Sequence, residues 1–245
     1  MSESMRMWVE VSFNITYLVV VYGLVAAMIR RRPAVPEDDQ PIARLFIWAF
    51  ALLALGDTGH VGFRVLAYAL GDLGTSVNLF GRQVGLVGLG ALSTAVTVTL
   101  FYVLMLVIWR RRFDRPYGWF GALLFIAAAV RFVIMVFPQN QWNNEVPPQP
   151  WGIIRNLPLT ILGLGVAALM LRDGQARRDN TFKWIAVMIV ISYAMYIPVI
   201  LFVQVAPMVG MLMIPKTLAY VAAGFIAYRD LFAAPQPEAR LTAES

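Results

Sequence analysis

Long apolar runs alternate along the chain with short polar connections. A helix that crosses a bilayer takes about 20 residues, and seven runs reach that length, at 8–29, 45–71, 83–109, 117–137, 151–171, 183–205 and 208–228. Arginine, proline and asparagine clusters, which are typical of loops, separate them. The pattern predicts an all-α integral membrane protein. It is a single seven-transmembrane-helix bundle over residues 1–232, with a short disordered cytoplasmic tail at 233–245.

Composition agrees with this class. Hydrophobic residues make up 60% of the 245 residues and charged residues 14%, against roughly 45–50% apolar content in soluble domains. There is no cysteine, which excludes disulfides, thiolate catalysis and Cys-ligated metal sites. The net charge of +6 is explained by loop arginines, so nucleic acid is not a predicted partner. The predicted partner is the lipid bilayer.

The basic residues lie almost entirely in alternate connections. One set of connections holds the clusters at 30–32, 110–112 and 177–178, whereas the other set holds only Arg6 and Arg82. Loops rich in Lys and Arg stay on the cytoplasmic side of a membrane. We therefore expect a multi-pass protein of a bacterial cytoplasmic (inner) membrane, with the N-terminus outside and the C-terminus cytoplasmic.

The second apolar run contains three ionisable residues, Asp57, His60 and Arg64. Their spacing of i, i+3 and i+7 places them on one helical face. A charge at the bilayer centre costs about 2.5–3.5 kcal/mol on the insertion scale, so such groups normally face the interior of a bundle. Small residues on the same run, Gly56, Gly59 and Gly62, accompany "GLVGLGAL" in the third run. Small residues let helices approach closely, so we expect the second and third helices to pack together.

Further charged residues lie within other runs, at depths that the predicted topology assigns to the outer half of the membrane. Arg131 lies about two turns from the end of the fourth run, Arg155 one turn into the fifth, and Lys216 a third to halfway into the seventh. Pro215 precedes Lys216 and predicts a kink there. The residues expected to line one pocket are Asp57, His60, Arg64, Arg82, Arg131, Arg155, Asn156, Tyr193, Tyr196, Lys216 and Tyr220.

This pocket has an excess of positive charge. Its five cations face only Asp57 and, from the first run, Glu10. The inner halves of the runs, such as "VVVYGLVAAM" and "AAGFIAY", hold no charge before their terminal arginines, which disfavours a conducting path. The pattern therefore favours a membrane binding protein, receptor or sensor whose outer-half cationic pocket takes an anionic small molecule or lipid headgroup. Asp57 or His60 would act as a proton-linked switch.

Three other interpretations are open. In the first, the charges form a structural network in which Asp57 pairs with Lys216 or Arg64 and the remaining cations extend to headgroups. In the second, Asp57 and His60 form the acid/base pair of an outer-leaflet lipid-modifying enzyme, although no nucleophile can be assigned. A single histidine cannot form a His-rich zinc site. No catalytic residue, metal, cofactor or oligomeric state is predicted.

Two resemblances to known families are visible. The phrases "FPQNQW", "WGIIRNLP" and "MLMIPKTLAYV" resemble those of a bacterial family of heptahelical membrane proteins, which implies seven spans and no particular activity.

The third interpretation comes from the other resemblance. In span count, orientation, Lys216, Arg82 and "YAMYIP", the chain resembles microbial rhodopsins. That resemblance implies retinal bound to Lys216, with Asp57 as the counter-ion. The sequence departs from the family's pattern at Leu212 and Gly85, where the family has acids.

Overall fold

A computed structural model describes residues 3–79, 81–144 and 146–233, and the side chains of residues 3–11 and 82 are not among those described. Seven long helices dominate it. They are α1 (Glu3–Arg31), α2 (Gln40–Leu70), α3 (Leu86–Phe113), α4 (Gly118–Val136), α5 (Trp151–Ala176), α6 (Asn180–Phe202) and α7 (Met213–Leu231). Short 3₁₀ helices precede α2, α5 and α7 at Glu37–Asp39, Pro138–Asn140 and Pro207–Leu212, and another follows α1 at Arg32–Ala34.

Within the described part of the chain, seven helical segments are long and apolar enough to cross a membrane. This confirms the predicted multi-pass helical membrane protein. The predicted tail, residues 233–245, lies outside the described residues except for residue 233.

One element was not predicted: an antiparallel hairpin between α2 and α3. Strand β1 (Ser76–Leu79) pairs with β2 (Arg82–Gly85), and Val77 lies opposite Val84. Gly81 in the turn has a φ of 79°, a conformation that glycine adopts without steric cost. Because the hairpin takes up residues to 85, α3 begins three residues later than the apolar run predicts.

The start of α7 also differs from the prediction. The helix begins at Met213, so Pro215 lies in its first turn. The amides of a first turn have no intrahelical acceptor, and proline is well tolerated there. Pro215 therefore begins the helix rather than kinking it, and Lys216 follows on the first turn of α7.

The connections meet in two groups, one at each end of the bundle. At one end Arg112 of α3 donates hydrogen bonds to Asp179 (2.8 Å) and Asp39 (3.2 Å), which precede α6 and α2. We call this the arginine end. At the other end the Gly85 amide donates to Asn143 Oδ1 (2.9 Å), in the α4–α5 connection. We call this the hairpin end.

The helices form a ring in chain order, closed by contacts between α1 and α7, and α3 also reaches across to α5. The core between them is largely aromatic towards the arginine end. Phe46, Phe101 and Phe182 are at most 1% exposed there, and the Trp109 indole donates to Asp173 Oδ2 at 2.9 Å. This half of the bundle is therefore packed with apolar side chains.

Helices α2 and α3 pack more extensively than any other pair, and glycines allow this. A methyl group added at Gly56 would overlap the side chain of Thr97, and one added at Gly59 would lie 2.5 Å from Ser93 Oγ. From the opposite helix, a Cβ added at Gly90 would lie 3.0 Å from the Cα of His60. The predicted close contact is confirmed at these positions. It does not extend to Gly62, where an added Cβ would meet nothing within 4 Å.

This packing predicts opposite effects for two glycine substitutions on the same helix. We expect Gly56→Ala to lower the free energy of unfolding by about 1–3 kcal/mol, because overpacking forces α2 and α3 apart. Gly62→Ala should be neutral or stabilising by up to about 1 kcal/mol, since alanine suits a helix better than glycine. Thermal unfolding of both variants in detergent measures the difference. Equal stabilities would contradict the contact.

Candidate anion-binding pocket

The candidate site lies inside the helix ring, in the half next to the hairpin end. At its centre is Lys216 of α7. Its Nζ lies 4.4 Å from the centroid of the Tyr196 ring and 5.6 Å from that of Tyr220. Ring faces attract ammonium groups, so the two tyrosines hold the side chain in place. No carboxylate of the described residues forms an ion pair with Lys216. Asp57 and Arg131 lie close enough to interact with its charge.

Arg131 of α4 is the most deeply buried of the predicted cations. Only 3% of its surface is exposed, and neither Nε nor Nη1 has a hydrogen-bond partner among the described residues. Tyr196 and Tyr193 lie close to its guanidinium. A buried guanidinium is normally paired with an acid or fully hydrogen-bonded. Arg131 therefore presents unused hydrogen-bond donors to the interior.

Arg155 lies nearer the hairpin end, in the first turn of α5. Its guanidinium carbon is 4.4 Å from the centroid of the Trp142 ring, and it is close enough to Arg131 for the two charges to repel. Trp142 is itself fixed by a hydrogen bond from Nε1 to the carbonyl of Met135 (3.0 Å). The α4–α5 connection therefore covers this side of the pocket with an aromatic ring.

Three of the predicted polar residues form the wall of the pocket and use their polar groups on each other or on backbone. Asn156 donates to the Gly152 carbonyl (2.8 Å) and accepts from the Tyr196 hydroxyl (3.0 Å). Tyr193 donates to the Leu159 carbonyl at 2.8 Å. These residues position the tyrosine rings but have little bonding capacity left for a ligand.

An aromatic layer closes the pocket towards the arginine end. The hydroxyls of Tyr102 and Tyr220 share a hydrogen bond of 2.8 Å, and Phe101 packs edge-on against both rings, with centroids 5.1 and 5.6 Å away. Because each shared hydrogen bond uses one proton, one of the two hydroxyl protons is left to donate elsewhere. Beside Tyr220 lies Ser192 of α6, which is 1% exposed and has no hydrogen-bond partner for its Oγ.

The ionisable face of α2 forms the remaining side. Asp57 accepts a hydrogen bond from the Tyr17 hydroxyl of α1 at 2.6 Å. No hydrogen bond joins it to His60 in the described structure, and His60 Nδ1 is buried without a partner. The charges of Arg64 and Lys216 both lie close enough to act on His60. The hydrogen bond of Asp57 therefore links α2 to α1.

The structure brings together most of the residues that the sequence singled out. Arg82 cannot be placed in the pocket because its side chain lies outside the described residues. Tyr17, Tyr102 and Ser192 belong to the site but were not predicted as members. The sequence shows each of them only as a hydroxyl residue within an apolar run. Such residues are common in membrane helices, and the sequence does not indicate their partners.

Comparison with known protein families, with curated proteins and with solved structures found no match. The class rests on the fold and site alone. The chain is a multi-pass helical membrane protein, and its described interior includes Arg131 with two guanidinium nitrogens that have no hydrogen-bond partner. Among the described residues, no three His, Asp or Glu side chains come together as metal ligands would.

The Tyr17–Asp57 bond predicts a difference between two tyrosines that link α1 to α2. Tyr17→Phe leaves a buried carboxyl oxygen without its donor and should lower the free energy of unfolding by about 1–3 kcal/mol. Tyr22 bonds to Thr58 at 2.9 Å but is 44% exposed, so Tyr22→Phe should change stability by less than about 0.5 kcal/mol. Thermal unfolding in the same detergent compares them. A larger loss from Tyr22→Phe would contradict this ranking.

Proposed function

We propose that the protein is a receptor, sensor or other binding protein that takes an anionic small molecule or lipid headgroup into this pocket. The observation that carries the proposal is Arg131: a guanidinium 3% exposed with two nitrogens that no described residue satisfies. Leaving such a group unpaired costs several kcal/mol. An anion on Arg131 would recover that free energy.

The surrounding charge supports the same ligand chemistry. Lys216 and Arg155 lie close to Arg131, while Asp57 is the one acid that acts on Lys216. Three cations thus face one carboxylate among these described residues, and that carboxylate is already held by Tyr17. Carboxylate and phosphate groups, which accept several charge-assisted hydrogen bonds, suit this arrangement.

The aromatic layer that closes the pocket favours binding over transport. A channel needs polar groups along its whole length, but between Tyr102 and Tyr220 and the arginine end the interior is filled by Phe46, Phe50 and Phe182, each at most 1% exposed. A ligand would enter from the hairpin end and leave by the same route.

The orientation of that entrance follows from charge. Most loop arginines lie at the arginine end, which the positive-inside rule assigns to the cytoplasm. The hairpin end and the pocket would then face outward from a bacterial cytoplasmic membrane, towards extracellular solutes or outer-leaflet lipids.

The proposal makes a prediction that a structural network does not. Arg131→Met removes an unpaired buried charge, so it should raise the free energy of unfolding of the purified protein by about 1 kcal/mol or more. The same change should abolish stabilisation by anionic ligands. Thermal unfolding with and without a panel of carboxylates and phosphates measures both effects.

Arg44→Met serves as the matched control, because Arg44 is exposed at the arginine end. It should change neither quantity. If Arg131→Met instead destabilises the protein by several kcal/mol and no anion stabilises the wild type, Arg131 belongs to a structural network and the proposal fails. If the proposal holds, mass spectrometry of compounds that co-purify with the wild type but not with a Lys216→Ala variant would identify the natural ligand.

A further inference from the structure

A cavity lies at the arginine end of the molecule. It is an open cleft of about 540 Å³ between the ends of α3 and α7 and the start of α6, lined by Arg112, Phe113, Arg177, Arg178, Asp179, Asn180, Thr181 and Asp230. Its volume falls within the range of roughly 300–1,000 Å³ common for ligand sites. It is separate from the pocket around Lys216 because the aromatic core lies between them.

The acids of the cleft are largely used by the protein itself. Asp179 accepts from Arg112 through Oδ2 (2.8 Å) and from the Phe182 amide through Oδ1 (3.0 Å). Both of its oxygens are therefore occupied. Among the described residues, this leaves Asp230 as the one lining carboxylate without an ion pair.

Two of the three basic residues of the cleft, Arg177 and Arg178, are used much less. Arg177 makes one long contact, from Nη2 to the Phe113 carbonyl (3.5 Å). No described carboxylate forms an ion pair with Arg177 or Arg178, and both side chains are exposed. With the hydroxyl of Thr181 beside them, the cleft presents more hydrogen-bond donors than its own acceptors can use.

Exposed tryptophans indicate that the cleft lies at the level of lipid headgroups. Trp48, Trp119 and Trp184 are 64%, 80% and 50% exposed, and all three lie within the part of α2, α4 or α6 nearest the arginine end. Tryptophan concentrates at the membrane–water interface. Lys183, whose Nζ is 5.9 Å from the centroid of the Trp184 ring, is two residues from the cleft residue Thr181.

We propose that this cleft binds a phosphate group between Arg177, Arg178 and Arg112. The phosphate belongs either to the headgroup of an anionic phospholipid in the adjoining leaflet or to a soluble phosphate compound. Arginine suits both, because its planar fork of donors matches phosphate oxygens, and Arg112 is already held rigid by two acids. This inference does not depend on the pocket at the other end.

The test uses the full-length protein in detergent, which removes the general attraction of a charged bilayer surface. Native mass spectrometry follows binding of phosphatidylglycerol, phosphatidylcholine and glycerol 1-phosphate. The variant is Arg177→Gln with Arg178→Gln. Its control, Arg30→Gln with Arg31→Gln, removes the same charge at the same end but outside the cleft. Arg177→Lys with Arg178→Lys keeps the charge.

We expect one phosphatidylglycerol to bind the wild type and the control alike, and about tenfold or more weaker in the Gln variant. Binding to the Lys variant should be intermediate, because lysine keeps the charge but loses the planar fork of donors. Comparable loss of glycerol 1-phosphate binding would assign the cleft to soluble phosphates, and phosphatidylglycerol binding alone would assign it to lipid. The proposal is overturned if the Gln variant binds as well as the wild type, if the control loses as much, or if phosphatidylcholine binds equally.

Discussion

The close contact between α2 and α3 determines where the charged face of α2 lies. Gly56 and Gly59 sit against Thr97 and Ser93, so the two backbones approach more closely than larger residues would permit. That contact fixes the rotation of α2 about its own axis. As a result Asp57 meets Tyr17 of α1 and lies within electrostatic reach of Lys216. Without this packing, the same face could turn towards lipid, where its charges would be far less stable.

The polar groups inside the bundle divide into two kinds. Asn156, Tyr193 and Tyr196 have partners within the wall, and they hold the aromatic rings around Lys216. Arg131 is as deeply buried, but its Nε and Nη1 have no partner among the described residues. Satisfied polar networks give a rigid, unique structure, whereas unsatisfied buried donors are unfavourable unless they serve a function. The wall thus fixes the geometry of the rings, and the unpaired donors of Arg131 are the groups that the proposed anion would contact.

The sequence predicted the number of helices and most of the polar interior because both follow from local rules. Apolar run length gives the spans, and the high free energy of buried charge directs Asp57, Arg131 and Lys216 inward. The hairpin at β1 and β2 was missed because Val77 lies in a short polar connection and Val84 at the start of the third apolar run, so no extended alternation is visible. Partners across helices were also missed, since Tyr17 is 40 residues from Asp57 and nothing in the local sequence links them. The sequence also did not predict that the Asn156 side-chain amide is used within the wall, where it donates to the backbone carbonyl of Gly152.

Cations at the two ends of the bundle are stabilised in different ways. At the arginine end, Arg112 of α3 is shared between Asp179 and Asp39, so one cation with two acids joins two connections to a helix end and ties α2, α3 and α6 together. Towards the hairpin end, three cations gather around tyrosines, and among the side chains that the structure describes Asp57 is the one acid that interacts with Lys216. Ring faces hold Lys216 and Arg155 at 4.4 Å without neutralising them, because a quadrupole attracts a cation but carries no net charge. Tyrosine and tryptophan thus keep the cations in place while leaving their charge available. That combination is what a site for an anion requires, and a structural ion-pair network would not need it.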